Sequence, residues 1–217
     1  MLTRSRPVTL LGGGVVGPGD LDLALSRAPT LIAADGGAGV ALSAGYLPEA
    51  VIGDMDSLAP ADRARLDGRL FPIEEQESTD FDKALRSVAA PLVIAVGFAG
   101  ARIDHELAAY HTLVTRPDKA CIMLGAVDVV FHMPPQLTLA LPAGTRFSLF
   151  PLAELQGSAT GLRWPIDDLL FHPARRIGTS NQTVDPNVTL RFEMPGMLGI
   201  LPRAHLDAVI SALTARV

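Results

Sequence analysis

The stretch LIAADGGAGVALSAGYLPEAVIGDMDSL, residues 31–58, decides the fold of this chain. It reads as a strand, a glycine turn, a short alanine-rich helix and a second strand, and the second strand runs directly into Asp54 and Asp56. In an open α/β sheet, ligands bind beyond the carboxyl ends of the strands. We therefore expect Asp35 and the two later aspartates to converge on one crevice, where carboxylate oxygens suit Mg²⁺ and the phosphates that accompany it.

The composition is that of a globular protein without a membrane span. The 217 residues suffice for one large domain or two small ones, and 48% of them are apolar while 19% are charged. No run approaches the ~20 consecutive apolar residues of a membrane helix. The glycines at 12–14 interrupt the first apolar run too early for a signal peptide. These features predict a cytoplasmic protein with no membrane partner.

The charge pattern argues against nucleic acid as a partner. The net charge is −5 and the 18 basic residues are scattered, whereas phosphate contacts need clustered Lys and Arg. The single cysteine, Cys121, excludes an internal disulfide. Its apolar neighbours in residues 120–124 predict a buried strand residue and not a nucleophile.

A glycine-rich loop follows the first strand, residues 8–11. Residues 12–17, GGGVVG, match the dinucleotide fingerprint GxGxxG, and Asp35 follows at about the expected ~20 residues. In that motif the last glycine opens a helix, but here a Pro-Gly pair comes next and delays any helix to about Leu21. The loop therefore predicts either a plain turn or a phosphate-approach loop of another kind.

A second polar group occupies residues 75–85, EQESTDFDKAL. Ser78 or Thr79 is a natural N-cap, and acids in the first turn suit the positive end of a helix. The same helix start offers free N–H groups to an anion, and Asp80 and Lys83 share a face because they are three residues apart. Together with the nearby GDMDS acids, this arrangement favours a nucleotide site over simple capping.

A third group follows the all-apolar strand LVIAV, which is of the kind buried on both faces. Asp104 is predicted as the N-cap of a helix over residues 105–114, with Arg102 in the preceding loop at the same sheet edge. His105 and His111 are six residues apart, so they do not form an i, i+4 metal pair on one helix face. We interpret both histidines as surface or packing residues.

The pattern of secondary structure changes near Gly125. Before it, an alternation of β and α segments with five or six strands implies a parallel sheet with right-handed crossovers. After it, turn signals recur every eight to twelve residues, which predicts antiparallel β structure. An amphipathic helix from Ala204 to Arg216 ends the chain. We therefore predict two domains, residues 1–125 and 126–217.

Seven short blocks, in their order and spacing, resemble the thiamine pyrophosphokinase family. They are ADGG at 34–37, GDMDS at 53–57, STDFDKAL at 78–85, the loop ending in RIDH at 102–105, SLFPL at 148–152, GLRWPI at 161–166 and GTSN at 178–181. The resemblance implies an N-terminal parallel-sheet α/β nucleotide domain followed by a C-terminal antiparallel β-sandwich. It also implies a homodimer that binds thiamine between its subunits.

The activity implied by the resemblance is transfer of the β,γ-diphosphate of ATP to the hydroxyethyl oxygen of thiamine, with release of AMP. Because an oxygen nucleophile must approach a polyanion, positioning and charge neutralisation would carry most of the catalysis. Mg²⁺ would be held by Asp54, Asp56 and Asp80. Lys83 and Arg102 would bear on the transferring group.

The resemblance also implies the remaining members of the site. Asp104 joins the catalytic set as an N-cap, a base or a ribose ligand. The nucleotide-binding residues would be Gly13, Asp35, Gly36, Ser57, Thr79, Asp80, Lys83, Gly100 and Arg102. The thiamine-binding residues would be Gln76, Trp164, Ser180 and Asn181. An indole face suits a cationic thiazolium ring, and the last two side chains suit the edge of a pyrimidine.

Two features depart from the family pattern. Glu75 and Glu77 stand where the family usually has aspartates, and the chain continues into a helix after Pro202, where the family's last strand commonly ends. Three alternatives remain: the same machinery acting on another alcohol such as a hydroxymethylpterin, an NAD-linked oxidoreductase using residues 12–17, and a non-catalytic nucleotide sensor. The oxidoreductase gives the GDMDS acids no role, a sensor would have lost them, and Trp164 favours thiamine over a pterin.

Overall fold

The chain divides into two compact units in the computed structural model, which describes residues 1–215. The first unit comprises Met1–Thr112 together with Met123–Gly125. The second comprises Leu113–Ile122 and the chain from Ala126 onward.

The first unit alternates strands and helices. Its strands are β1 (Leu2–Thr3), β2 (Val8–Leu11), β3 (Thr30–Ala34), β4 (Ala50–Gly53), β5 (Leu70–Pro72), β6 (Val88–Ala89), β7 (Val93–Val96) and β8 (Cys121–Leu124), of which β8 crosses the division. Its helices are α1 (Asp20–Leu25), α2 (Gly37–Ser43), α3 (Pro60–Arg65), α4 (Asp80–Ser87) and α5 (Ile103–Thr115), of which α5 runs past the division. Five strands pair in parallel in the order β7-β2-β3-β4-β5, within the predicted five or six. The short strands β1 and β6 form a separate parallel pair.

The parallel strands are buried, and helices α1, α2 and α4 pack against them. Every residue of β2, β3, β4 and β7 is buried, as expected for apolar runs in a parallel sheet. Met55 and Leu58 extend this core beyond β4 by packing in one cluster with residues of β3, β4 and α2. The loop that carries Asp54 and Asp56 is therefore anchored on both sides by buried apolar side chains.

Two helix starts test the predicted boundaries. Helix α1 begins at Asp20, close to the predicted start at about Leu21. Helix α5 begins at Ile103, so the prediction that Asp104 is its N-cap is wrong. The main-chain N–H of Glu106 donates to the carbonyl of Arg102 at 3.0 Å. This helical bond places Asp104 in the first turn, where an acid suits the positive end of the helix.

The second unit is mainly antiparallel. Its strands are β9 (Asp128–His132), β10 (Gln136–Ala140), β11 (Arg146–Pro151), β12 (Gly157–Thr160), β13 (Gly178–Gln182), β14 (Asn187–Phe192) and β15 (Met197–Pro202). Strands β13, β11, β15 and β9 are neighbours in that order, and β10, β14 and β12 form a second sheet. A mixed α/β fold with a separate antiparallel β region, as predicted from the change near Gly125, is confirmed.

Alternating burial in β10 and β14 supplies part of the core of this unit. Leu139 and Leu190 are fully buried while their sequence neighbours face outward. Met194, two residues beyond the end of β14, is exposed.

The predicted C-terminal helix begins with a 3₁₀ turn, Arg203–His205, and continues as α6 (Leu206–Thr214). The predicted end of this helix at Arg216 lies outside the described residues. Among residues 1–215, no helix has the length and apolar character needed to cross a membrane.

Candidate active site

A cavity of about 370 Å³ lies in the first unit, bordered by the loops that follow strands β2, β3, β4 and β7. Seven of the residues predicted to bind nucleotide line it: Gly13, Asp35, Gly36, Ser57, Thr79, Asp80 and Arg102. Gly100 and Lys83 are outside its lining. The ends of parallel strands thus meet at one crevice, as the open α/β arrangement requires.

Three carboxylates form a compact cluster beside this cavity. Oxygen atoms of Asp35, Asp54 and Asp56 all lie within 4.8 Å of one another. Oδ1 of Asp35 is buried and has no hydrogen-bond partner, which is costly for a polar atom unless a ligand satisfies it. Hard oxygen donors at this spacing fit a divalent cation such as Mg²⁺. The grouping therefore adds Asp35 to the predicted metal ligands.

Asp35 reaches the cluster through an unusual backbone conformation. Its φ is 36°, in the left-handed region that non-glycine residues seldom adopt. A Cβ placed on Gly53 would lie 2.7 Å from the Cβ of Asp35, so only glycine fits at the end of β4. The close approach of β3 and β4 thereby brings an acid from each strand end to the same point.

Lys83 is nearly inaccessible to solvent and holds two acids together. Its Nζ lies 3.3 Å from Oδ2 of Asp54 and 3.4 Å from Oδ1 of Asp80, and its side chain is 2% exposed. Burial favours the neutral amine, but the two carboxylates outweigh it and raise the pKa of Lys83. Burial also raises the pKa of Asp80. Asp80 is therefore a partner of Lys83 in the structure, and its predicted role as a metal ligand stays a prediction.

Asp54 is fixed by three donors. Besides Lys83, the Nε2 of Gln76 donates to its Oδ2 at 3.3 Å and the main-chain N–H of Asp56 donates to its Oδ1 at 3.3 Å. Partial burial opposes ionisation, but these donors outweigh it and lower the pKa of Asp54. The carboxylate is therefore charged and oriented, as a metal ligand must be. Gln76, predicted to bind thiamine, contacts the acidic cluster.

Thr79 begins the helix that carries Lys83. Its Oγ1 accepts from the main-chain N–H of Asp82 at 3.3 Å, so Thr79 and not Ser78 is the N-cap. The first turn of α4 thus presents Thr79 and Asp80 to the cavity. This is the placement predicted from the STDFDKAL block.

Arg102 and Asp104 form an exposed ion pair at the rim. Nη2 of Arg102 donates to Oδ2 of Asp104 at 2.6 Å, with a second bond from Nε at 3.2 Å. These bonds lower the pKa of Asp104 to about 2. Gly100 adopts a φ of 81° and donates its N–H to Oε2 of Glu106, so it shapes the loop behind Arg102.

Some lining residues were not predicted from the sequence. His105 lines the cavity and is exposed, although we interpreted it as a surface or packing residue. Phe81 and Phe98 also line it, and their rings lie 4.5 Å apart between centroids. Phe81 and His105 lie inside two of the family-like blocks and Phe98 in the glycine loop before the RIDH block, but none of the three was predicted to line the site.

The predicted thiamine residues of the second unit lie close together in the chain's fold. Asn181 is buried, and its amide accepts from the main-chain N–H of Trp164 at 3.2 Å and donates to the Trp164 carbonyl at 2.8 Å. The indole itself is half exposed, with the Arg163 guanidinium 5.1 Å from its centroid. Asn181 therefore holds the backbone that presents Trp164, and its predicted contact with thiamine stays a prediction. Ser180, with a φ of 62°, is exposed.

Comparison with known proteins indicates one family. Residues 21–124, which include the acidic cluster and Lys83, match the family model described as thiamin pyrophosphokinase, catalytic domain. This stretch of the chain is therefore similar to the catalytic domain of the thiamine pyrophosphokinase family. Thiamine pyrophosphokinase 2 of Oryza sativa subsp. japonica is 27% identical over 169 residues, which cover 68% of this chain and 63% of that protein. The match thus spans less than two thirds of that curated relative.

Solved thiamin pyrophosphokinases share the fold of this chain. The enzyme from Geobacillus thermodenitrificans superposes with a TM-score of 0.72 at 23% identity, covering 90% of this chain and 96% of that one. The protein from Candida albicans superposes with a TM-score of 0.76 at 13% identity, covering 93% and 92%. The family resemblance deduced from the sequence blocks is confirmed.

Proposed function

We propose that this protein is a thiamine diphosphokinase, which transfers the β,γ-diphosphate of ATP to the hydroxyl of thiamine and releases AMP. The observation that carries the proposal is the Asp35, Asp54 and Asp56 cluster beside the cavity, within the span that matches the family's catalytic domain. In the reaction the thiamine oxygen bonds to the β-phosphorus, the bond from that phosphorus to the oxygen bridging to the α-phosphate breaks, and the hydroxyl proton is released.

The acidic cluster fits a Mg²⁺ cofactor. The carboxylates of Asp35, Asp54 and Asp56 would hold the ion, and the unpartnered Oδ1 of Asp35 supplies a buried ligand atom. When bound, such an ion would neutralise part of the phosphate charge during diphosphate transfer. Asp80 stays close through Lys83. Its part in metal binding, predicted from the family, remains a prediction.

The cavity would hold ATP. Gly13 and Gly36 bring main chain close to it, and Thr79 begins a helix whose free N–H groups suit an anion. Ser57 and Asp35 line the same cavity. Gly100 would bind nucleotide indirectly, by shaping the loop before Arg102.

Arg102 and Lys83, both predicted to bear on the transferring group, would have different roles. The Arg102 guanidinium, 70% exposed, is paired with Asp104, which keeps it at the rim. A polyphosphate offers Arg102 a partner of higher charge, and bidentate contacts with phosphate suit guanidinium. Lys83, by contrast, acts from behind Asp54 and Asp80 by fixing their positions. We assign Asp104 to orientation of Arg102, since its low pKa makes it a poor base at neutral pH.

Thiamine would bind on the exposed indole of Trp164 in a homodimer, with each site shared between two subunits. Stacking on an indole suits a thiazolium cation, and Asn181 holds the tryptophan in place. Exposed Ser180 would face the pyrimidine. Gln76 would approach thiamine from the side of the acidic cluster.

We propose different functions for the two predicted domains. Residues 1–125 would form the nucleotide and metal domain, and residues 126–217 a β-sandwich for thiamine binding and dimerisation. We propose a cytoplasmic protein that has neither nucleic acid nor a membrane as a partner, consistent with its net charge of −5.

One assay tests the proposed function. The purified protein is incubated with ATP, Mg²⁺ and thiamine, and AMP and thiamine diphosphate are measured by chromatography. Equal amounts of both products are expected. AMP release that requires a hydroxymethylpterin in place of thiamine would instead support the alternative acceptor. Absence of AMP with either acceptor would refute diphosphate transfer.

A further inference from the structure

Glu75 accepts four hydrogen bonds although it lies outside the cavity lining. Its Oε2 accepts from the main-chain N–H groups of Glu77, at 2.9 Å, and Ser78, at 3.2 Å. Its Oε1 accepts from Oγ of Ser78 and from Nη2 of Arg86, both at 2.5 Å. These donors lower the pKa of Glu75, and the hydrogen bond from Ser78 makes the largest contribution to that shift. The carboxylate therefore closes residues 75–78 into a compact loop.

Arg86 ties that loop to helix α4. It lies on the same helix as Asp80 and Lys83, and its Nε also lies 3.8 Å from Oδ2 of Asp82. The Glu75 bond to Arg86 spans 11 residues and so fixes the loop against the helix that carries the buried lysine. The position of the loop and that of Lys83, both next to the acidic cluster, are consequently set by the same helix, α4.

Gln76 is the residue through which this loop reaches the cluster. It sits between Glu75 and Glu77, so its backbone is fixed by the bonds to the Glu75 carboxylate. Its Nε2 donates to Oδ2 of Asp54 at 3.3 Å and to the carbonyl of Glu74 at 3.4 Å. A displaced loop would withdraw this donor from Asp54. Mutation of the partners that orient ligating carboxylates typically weakens metal affinity by about 10–100-fold.

We propose that Glu75 and Arg86 are positioning residues for the divalent cation, acting through Gln76 on Asp54. This inference rests on the proposed function of the acidic cluster as a Mg²⁺ site. The side chains of Glu75 and Arg86 are each 35% exposed. Ion pairs of that exposure add little to stability. Removal of the pair is therefore expected to weaken cation binding while the protein remains folded.

The test measures cation binding directly in the full chain. Mn²⁺ affinity is determined by electron paramagnetic resonance without nucleotide, and Mg²⁺ affinity by competition. Glu75→Gln and Arg86→Gln are each expected to weaken binding about tenfold, with the thermal unfolding midpoint close to wild type. Glu49→Gln is the matched control, because Glu49 pairs with Arg4 at 3.1 Å on the surface of the same unit. It should leave cation affinity unchanged.

A double variant tests the route through Gln76. Glu75→Gln combined with Gln76→Ala should bind cation no more weakly than Gln76→Ala alone, since both changes interrupt one chain of contacts. Additive losses would overturn the proposal, as would wild-type affinity in Glu75→Gln and Arg86→Gln, or no measurable cation binding by the wild type. Thiamine diphosphate formation is assayed separately. Its absence refutes the proposed function, whereas cation binding alone decides the positioning role.

Discussion

Asp56 is the exposed member of the acidic cluster, so its substitution tests function without threatening the core. Asp56→Asn should reduce turnover at least about a hundredfold, because even residues that only orient metal ligands contribute 10–100-fold. AMP release is measured across a Mg²⁺ titration, and circular dichroism checks the fold. Asp67→Asn, at an exposed acid outside the cluster, should keep full activity. Near wild-type turnover by Asp56→Asn would remove the cluster from the mechanism.

His132 gives the second unit a pH-dependent stability. Burial lowers the pKa of His132 from 6.5 to about 4 in the folded protein, and its Nε2 accepts from the main-chain N–H of Gly196 at 3.2 Å. At pH values between about 4 and 6.5, His132 is protonated in the unfolded chain and neutral in the folded protein. Stability contributed by the neutral ring is therefore complete above about pH 6.5 and is lost as pH falls toward 4, by up to about 3 kcal/mol.

Urea unfolding at pH 7.0, 5.5 and 4.5 measures this dependence. The variant His132→Gln keeps a hydrogen-bond acceptor but does not titrate. The difference in free energy of unfolding, wild type minus variant, should therefore decrease as the pH is lowered. His111→Gln, at an exposed histidine, should retain the wild-type pH profile. Parallel profiles for wild type and His132→Gln would show that this histidine does not carry the effect.

At the level of secondary-structure elements, helix α2 contains two glycines whose substitution by alanine should change stability in opposite directions. A Cβ on Gly37 would lie 2.0 Å from the carbonyl oxygen of Leu11, whereas a Cβ on Gly39 would meet nothing within 4 Å. Gly37→Ala must therefore push α2 away from β2, at a cost of about 3 kcal/mol. Gly39→Ala should stabilise the helix by roughly 0.5–1 kcal/mol. Thermal unfolding compares the two, and equal midpoints would contradict the packing of α2 on β2.

Periodicity and turn signals predicted most elements because these depend on neighbouring residues. The parallel strands, the start of α4 at Thr79 and the antiparallel region all follow from local patterns. The start of α5 was misplaced because the carbonyl of Arg102 accepts the first helical bond, so the helix begins at Ile103. Boundaries of this kind are set by hydrogen bonds that sequence spacing does not specify.

Several contacts of the candidate site depend on tertiary structure and could not be predicted. The convergence of Asp35 with the two later aspartates was expected, but the left-handed backbone of Asp35 and the glycine on the neighbouring strand that permit it were not. Glu75 and Arg86 are 11 residues apart, and Trp164 and Asn181 are 17 apart. Motif residues were thus identifiable by type and position, whereas the residues that orient them became visible only in the fold.

At the scale of the whole molecule, the proposed dimer predicts that two inactive variants recover activity when they are mixed. If each site takes Asp56 from one subunit and Trp164 from the other, a heterodimer of Asp56→Asn with Trp164→Ala has one site with both changes and one with neither. Random mixing makes half the dimers heterodimers, so two inactive preparations should recover about a quarter of wild-type activity. The variants are unfolded and refolded together, exchange is confirmed by a mass tag, and AMP release is measured.

Each variant refolded alone is the control for this mixing experiment. Activity no higher than that of these controls, despite proven exchange and an intact dimer, would rule out a site shared between subunits. A recovered fraction that follows the proportion of heterodimers as the mixing ratio is varied would support it.

The single buried thiol can report on local and global unfolding of this protein. Cys121 is the only cysteine and is 3% exposed in β8, and burial raises the pKa of its thiol. Because reagents attack the thiolate, colour development with a chromogenic disulfide would require β8 to become accessible. The reaction rate, followed against denaturant concentration, would then distinguish local fraying from global unfolding at one defined atom. No label needs to be engineered, and ligands that tighten the fold would be detected as slower labelling.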